Sequence, residues 1–298
     1  DREIAQGDYG SAPAGSDRLV LGHEALCRVL RAPPKSGWKV GDRFVPMVRH
    51  PDGRPCSACA VDEWDMCRNG GFTEHGIKDR HGFGAERIAL DPSRCVRVPN
   101  GMGLNAVLLE PASILAKAWE QIARIGRRST WQPKRAVVTG AGPIGLLAAL
   151  FARQMGLETW VVNRSPSTEK AELTRAIGAE YVLARERSLA DIAKNCDVVV
   201  ECTGSGSLVV EALSSAPPGA IVCLTGVSSA GSSIPVDVGA LNRDLVLDNL
   251  VVFGSVNANR RHYEQALQAL LAADATWLDR LITERLAMSA FARAFDSS

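Results

Sequence analysis

The sequence predicts an α/β protein in which a doubly wound parallel sheet is joined to a smaller, mostly β region. Two observations carry that expectation. Near position 114 the pattern changes from Gly- and Pro-rich stretches with short apolar runs to alternating strand-like and helix-like segments. Strands alternating with helices are the order that builds a parallel sheet. A glycine-rich turn also lies where one of those strands passes into a helix.

The first region, residues 1–113, offers three strand-like runs: Leu19-Val20-Leu21, Arg43 to Val48 and Glu86 to Leu90. Turn signals at Pro33-Pro34, Gly41-Asp42 and Pro51-Asp52-Gly53 separate them. From Ile114 to Ile125 the apolar spacing is helical. A strand (Ala136 to Thr139), a helix (Ile144 to Met155) and a strand (Thr159 to Val162) follow. Next come a helix from Thr168 to Ile177 and a strand at Tyr181-Val182-Leu183. Asp197 to Cys202, Ile221 to Leu224 and Leu250 to Phe253 read as buried strands, and His262 to Ala272 as a helix.

Composition narrows the function. With 46% apolar residues among 298, the chain can bury a large core. A net charge of +1 gives no basic excess for nucleic acid or an anionic membrane. Apolar stretches such as Leu146 to Ala152 are too short to span a bilayer. Of eight cysteines, Cys56, Cys59 and Cys67 lie close together, while Cys27, Cys95, Cys196, Cys202 and Cys223 are scattered through apolar segments. That distribution fits a metal cluster plus core thiols rather than a secreted disulfide framework, and predicts a cytoplasmic location.

The turn Gly140-Ala141-Gly142-Pro143-Ile144-Gly145 matches G-x-G-x-x-G in the strand-to-helix setting that the motif needs. The first glycine permits a tight turn, the second lets a pyrophosphate approach the backbone, and the third lets helix and strand pack closely. The phosphates then meet free N–H groups at the helix start. This is the Rossmann arrangement for a dinucleotide. An NAD site usually has an acidic residue at the end of the next strand. Here Asn163-Arg164-Ser165 stands there instead. No carboxylate repels a 2′-phosphate and Arg164 can pair with one, so NADP is favoured, without NAD being forbidden.

Metal signals lie in the first region. Gly22-His23-Glu24 follows an apolar run, and an imidazole beside a carboxylate is a zinc-ligand pairing. Cys56-Ser57-Ala58-Cys59, with Cys67 downstream, has the spacing of a structural zinc knuckle. A closed site needs four ligands, and Asp52 and His50 are the nearest candidates for the fourth. A redox pair fits less well, because the knuckle lies away from any βαβ unit.

These residues together resemble the medium-chain zinc dehydrogenases, and more closely their archaeal-type glucose 1-dehydrogenase branch. The resemblance runs through Asp1-Arg2-Glu3-Ile4, Leu21-Gly22-His23-Glu24, Gly41-Asp42-Arg43-Phe44-Val45 and the cysteine cluster. It continues through Glu74-His75-Gly76-Ile77, Gly82-Phe83-Gly84-Ala85-Glu86, Leu109-Glu110-Pro111 and the Gly140 turn. Glu201-Cys202-Thr203-Gly204 and Gly254-Ser255-Val256-Asn257 complete it.

The resemblance implies a GroES-like catalytic domain over 1–113, a Rossmann NADP-binding domain over 114–257, and a return to the catalytic domain over 258–298. It implies His23, Glu24 and Glu110 at a catalytic zinc, with Glu74, Glu110 and Asn257 holding a sugar. It implies Thr225, Gly226, Val227, Ser255, Val256 and Asn257 at the cofactor. Gly53 stands where the family places its first structural cysteine. The family also places a further zinc ligand just upstream of Asp1 and strands beyond Ser298, so the resemblance implies a chain truncated at both ends. The implied reaction moves hydride from the anomeric carbon of an aldose to NADP and gives a lactone. A zinc alcohol or polyol dehydrogenase and a catalytically silent NADPH-binding homologue are the alternatives. Relatives are often dimers or tetramers, and an edge strand near Leu250 could pair with a second copy.

Overall fold

The computed structural model describes residues 1–228 and 233–296, so the last two positions of the 258–298 segment lie outside it. The chain divides into two compact units, one of Asp1–Ser113 with Asn257–Ser298 and one of Ile114–Val256.

The first unit begins with the short helix α1 (Arg2–Gln6), closed by Gly7 in the left-handed region. Its strands are brief: β1 (Cys27–Arg28), β2 (Arg43–Pro46), β3 (Arg49–His50), β4 (Thr73–His75), β5 (Asp79–Arg80) and β6 (Cys95–Val98). They form two three-stranded sheets, ordered β1-β2-β6 and β3-β4-β5. Register in the second places Arg49 opposite Glu74. Val45, Met47, Val48 and Trp64 fill the core beneath.

Two expected strands are absent here. Leu19–Leu21 does bond through its backbone, because the amides of Gly82 and Gly84 donate to the carbonyls of Val20 and Leu21. The partner is an irregular loop rather than a ladder, and it comes so close that a Cβ on Gly82 would lie 2.5 Å from the Leu21 carbonyl. Glu86–Leu90 is mostly exposed and forms no strand. Arg43–Val48 is one run in sequence, but the strand stops at Pro46, a residue with no N–H to give a ladder.

Helix α2 (Leu109–Gly126) carries the chain to the second unit. There the order is β7 (Arg135–Thr139), α3 (Pro143–Gln154), β8 (Glu158–Asn163), α4 (Thr168–Ala176), β9 (Glu180–Leu183), α5 (Leu189–Ala193) and β10 (Val198–Glu201). It continues with α6 (Gly206–Ser215), β11 (Ile221–Leu224), α7 (Val238–Leu247) and β12 (Val251–Gly254). The six strands pair in parallel in the order β12-β11-β10-β7-β8-β9. This is the doubly wound arrangement, and its switch point lies between β7 and β10. Strands buried on both faces read as β-branched runs. Val137, Val162, Val182, Val199 and Val222 indeed pack with Leu189 and Ile192 in one cluster.

After Val256 the chain returns to the first unit through α8 (Arg260–Leu271), α9 (Ala275–Asp279) and α10 (Arg293–Asp296). Asn259 caps α8, its side chain accepting from the Arg261 amide. No described helix is long and apolar enough to cross a membrane.

Candidate active site

In the first unit the carboxylates of Glu24 and Glu110 and the His23 imidazole converge. Each offers a ligand atom within 4.8 Å of the others. Gly22 takes a positive φ of 91° just before His23, a conformation that glycine adopts at no steric cost. Glu110 lies in the first turn of α2, where the helix dipole favours an anion. The Ser113 hydroxyl donates to the Glu110 carbonyl at 2.6 Å.

Charge is crowded in this cluster. Glu110 is 4% exposed. Burial, and then the neighbouring Glu24 charge, push its carboxyl up to about 8. Glu24 reaches solvent at its edge. Its carboxyl is nevertheless raised by the protein packed around it, with the His23 charge pulling the other way. His23 Nδ1 lies 3.0 Å from the Asp1 carboxylate, and an Nδ1–H donated there leaves Nε2 with a free lone pair. One imidazole and two carboxylates form a donor set that fits zinc. A dication would also relieve the repulsion between the acids.

Beside this cluster, Glu74 is buried and fixed. Its Oε1 accepts from Arg49 Nε at 2.9 Å and from Asn257 Nδ2 at 2.6 Å. Arg49 also donates to the Asp65 carbonyl at 3.1 Å and stacks 3.8 Å from the Phe72 ring centre. Asp65 in turn accepts from Asn259 Nδ2 at 2.8 Å. Asn257 holds a left-handed φ of 62°, a conformation costly for most residues but tolerated by asparagine. The structure therefore joins Glu74 to Asn257. It adds Arg49 to them, and also Asp65 and Asn259, which the sequence did not single out. A buried-type arginine between Val48 and His50 was the only local sign of them.

The second unit carries the glycine turn between β7 and α3. Gly140 adopts φ +87°. A Cβ at Gly145 would strike the Gly140 carbonyl, whereas one at Gly142 would meet nothing within 4 Å. The turn is thus packed where helix meets strand and open at Gly142. Pro143 starts α3, and the first amides of a helix have no acceptor within it. The donors at Ile144 and Gly145 and the open glycine fit a pyrophosphate.

At the end of β8, Asn163 works as a brace. Its Oδ1 accepts from the Ala141 amide at 3.2 Å and its Nδ2 donates to the Ser165 carbonyl at 2.7 Å. Arg164 and Ser165 are exposed, and no ion pair to Arg164 occurs among the described residues. Thr225, Gly226 and Val227 leave the end of β11, with Val227 strongly exposed. Ser255 follows β12, its amide donating to the Leu224 carbonyl, and its buried hydroxyl has no partner among the described residues. The Val256 carbonyl accepts from Lys117 at 3.0 Å.

Glu201 is a residue to which the sequence alone attaches no role. It is fully buried at the end of β10. Its carboxylate accepts from Thr139 Oγ1 (3.1 Å), from the Thr203 hydroxyl and amide (the latter 2.7 Å), and from the Gly204 amide (3.1 Å). Its carbonyl accepts from the amides of Thr225 and Gly226. One residue thus ties the ends of β7, β10 and β11, where ligands bind in such sheets. An acid directly after the run Val198-Val199-Val200 was the available signal.

The sulfurs of Cys56, Cys59 and Cys67 lie within 4.8 Å of one another, and all three cysteines are free. Amide donors, led by Arg68, pull Cys56 down to about 6. The Asp52 carboxylate is not part of this group. It accepts from the Arg54 amide at 2.8 Å instead.

Comparison with known proteins places the chain. Residues 1–100 match the alcohol dehydrogenase GroES-like domain, and residues 104–298 match the glucose dehydrogenase C-terminus family. The glucose 1-dehydrogenase of Methanocella arvoryzae is 40% identical over 96% of this chain and 82% of its own. That of Thermoproteus tenax is 38% identical over 99% and 84%. Among solved structures, Haloferax mediterranei glucose dehydrogenase in complex with NADP, Zn and gluconolactone superposes with a TM-score of 0.89 at 30% identity. That match covers 99% of this chain and 85% of the Haloferax chain. With its GroES-like first part and its glucose dehydrogenase C-terminal part, this chain belongs to the glucose 1-dehydrogenase family of the medium-chain zinc dehydrogenases.

Proposed function

We propose that this chain oxidises an aldose such as glucose at its anomeric carbon, passing hydride to NADP and releasing a lactone. The observation that carries the reading is the meeting of His23, Glu24 and Glu110, next to a Glu74 fixed by Arg49 and Asn257. Zinc bound there supplies a Lewis acid that lowers the pKa of the sugar's anomeric hydroxyl. His23 offers Nε2 to the metal while Asp1 orients the ring through Nδ1. Glu110, gathered with His23 and Glu24, is a carboxylate within reach to accept the proton that leaves the anomeric hydroxyl. Glu74 has Oε1 committed to Arg49 and Asn257, so Oε2 is left to accept from a sugar hydroxyl.

The Gly140 turn receives the pyrophosphate and Arg164 the 2′-phosphate. Thr225, Gly226, Val227, Ser255 and Val256 belong to the same cofactor site. Cys56, Cys59 and Cys67 belong to a second zinc. The ligands named for the Haloferax protein are the cofactor, metal and product class of this reaction, and they support the reading. A cytoplasmic homo-oligomer, paired along the edge strand β12, completes the proposal, and a monomeric mass in solution would remove the oligomer from it.

The test is NADPH formation from a panel of aldoses, polyols and simple alcohols, with zinc content measured on the same protein. Aldose turnover that needs zinc is expected. Turnover of alcohols or polyols alone would assign the substrate to the other branch of the superfamily. NADPH binding with neither zinc nor turnover would leave a silent binding protein.

A further inference from the structure

The three-cysteine cluster has two properties that a locked structural zinc site does not combine. Three sulfurs gather within 4.8 Å, and no fourth His, Cys, Asp or Glu ligand atom joins them among the described residues. Asp52, the acid that the sequence offers as a fourth ligand, has a carboxylate that caps the Arg54 amide instead. It also packs so tightly under Gly71 that a Cβ there would lie 2.6 Å from its Oδ2. The next residue, Gly53, is exposed and has nothing within 4 Å of where a Cβ would stand. The cluster therefore offers three protein ligands, with no fourth among the described residues and an exposed glycine three residues before Cys56.

The loop holding the sulfurs is ordered by its own bonds. The Ala60 amide donates to the Cys56 carbonyl and the Glu63 amide to the Ala58 carbonyl. The Arg68 amide donates to Cys56 Sγ at 3.4 Å. Zinc sites with four protein ligands are closed, whereas three protein ligands leave a position for an exchangeable one. Thiolates select soft ions.

We propose that Cys56, Cys59 and Cys67 form an open three-thiolate site for a soft metal ion of the zinc and cadmium class. Its fourth position is taken by an external ligand, so the ion exchanges instead of being locked into the fold. The inference does not depend on the catalytic reading.

Cadmium is the probe, added to the metal-free full chain under reducing conditions and followed by thiolate-to-cadmium charge-transfer absorption. Imidazole and carboxylate ligands give no such band, so the His23 cluster cannot imitate the signal. A band of three-thiolate strength is expected, lost in Cys59→Ser and shifted when cyanide is added to the unmutated chain. A chelator should strip the ion at least about tenfold faster from the unmutated chain than from Gly53→Cys, a difference that even an outer-shell contact can produce. Absence of the band overturns the proposal. So does a band blind to cyanide, or an ion that resists the chelator as well without the added cysteine as with it. The cyanide arm needs no variant, so it decides the matter even if Gly53→Cys fails to fold.

Discussion

Glu110 and Glu201 are both buried carboxylates beside apolar segments, yet their surroundings are opposite. Glu201 is wrapped in donors: two threonine hydroxyls and two amides face its carboxylate. Glu110 faces other acids, Glu24 and Glu74, with the His23 charge pulling the other way. A buried charge is tolerated when it is paired and hydrogen-bonded. Glu201 meets that condition within its own unit, so its work is to hold three strand ends in register. Glu110 meets it only in the presence of a proton or of a cation such as the proposed zinc.

Substitution should separate the two. Glu110→Gln removes the charge and keeps the shape. Turnover should fall by more than the roughly 10- to 100-fold that outer-shell partners carry, and zinc content with it, while the metal-free fold melts no earlier. Kinetics, metal analysis and thermal melts on one preparation check this. A large loss of stability would show that Glu110 is structural like Glu201.

Glu201→Gln should do the reverse. It replaces one acceptor oxygen with an NH2 group that must face either the Gly204 amide or the Thr203 amide and hydroxyl, at a cost of about 1–3 kcal/mol. Denaturant unfolding measures that cost. The KM for NADP should rise because the loops at the strand ends lose their tie, while zinc content stays. Unchanged stability would remove the contrast.

If Glu201 frames a cofactor cradle, Arg164 on its rim should read the cofactor. Arg164→Ala should raise the KM for NADP by about tenfold, the loss of one charge-assisted contact, and leave NAD unaffected. Equal effects on both cofactors would place Arg164 outside the site.

The smallest effect is a slope with pH. The Glu110 pKa in the folded chain lies near 8, above the ordinary 4.5. Between those values the folded chain keeps a proton that the unfolded chain has released, so this group's contribution to stability falls as pH rises. Zinc holds the carboxyl ionised and should flatten that fall. Glu110→Gln should abolish it. Melting curves across the window, with and without zinc, give the answer, and a metal-independent slope that survives Glu110→Gln would assign the proton elsewhere.

The sequence disclosed the second unit better than the first. Its strands are β-branched runs buried on both faces, and its glycine turn has few structural alternatives, so β7 to β12 lie close to where they were expected. The helices α5, α6 and α7 were missed, α5 because it has only five residues. Gly206-Ser207 and the pair Val209-Val210 are poor helix formers, and α7 buries none of its residues, so neither shows a strong apolar stripe. In the first unit most strands have only two to four residues, too few for an alternation to stand out. Of the candidate site, His23 and Glu24 were visible as neighbours in a metal-ligand pairing, and Glu110 only through family likeness. The Arg49–Glu74–Asn257 chain could not be read, because pairing between residues so distant in sequence leaves no local pattern.

The first unit is assembled from both ends of the chain, and this sets an order on its making. A ribosome finishes Ile114–Val256 as one uninterrupted stretch, free to form its sheet at once. Glu74 must wait for Asn257, and Asp65 for Asn259, each arriving more than half a chain later. The amide that orients the proposed sugar-binding carboxylate is thus among the late arrivals, and any fragment ending before it carries Glu74 without that donor.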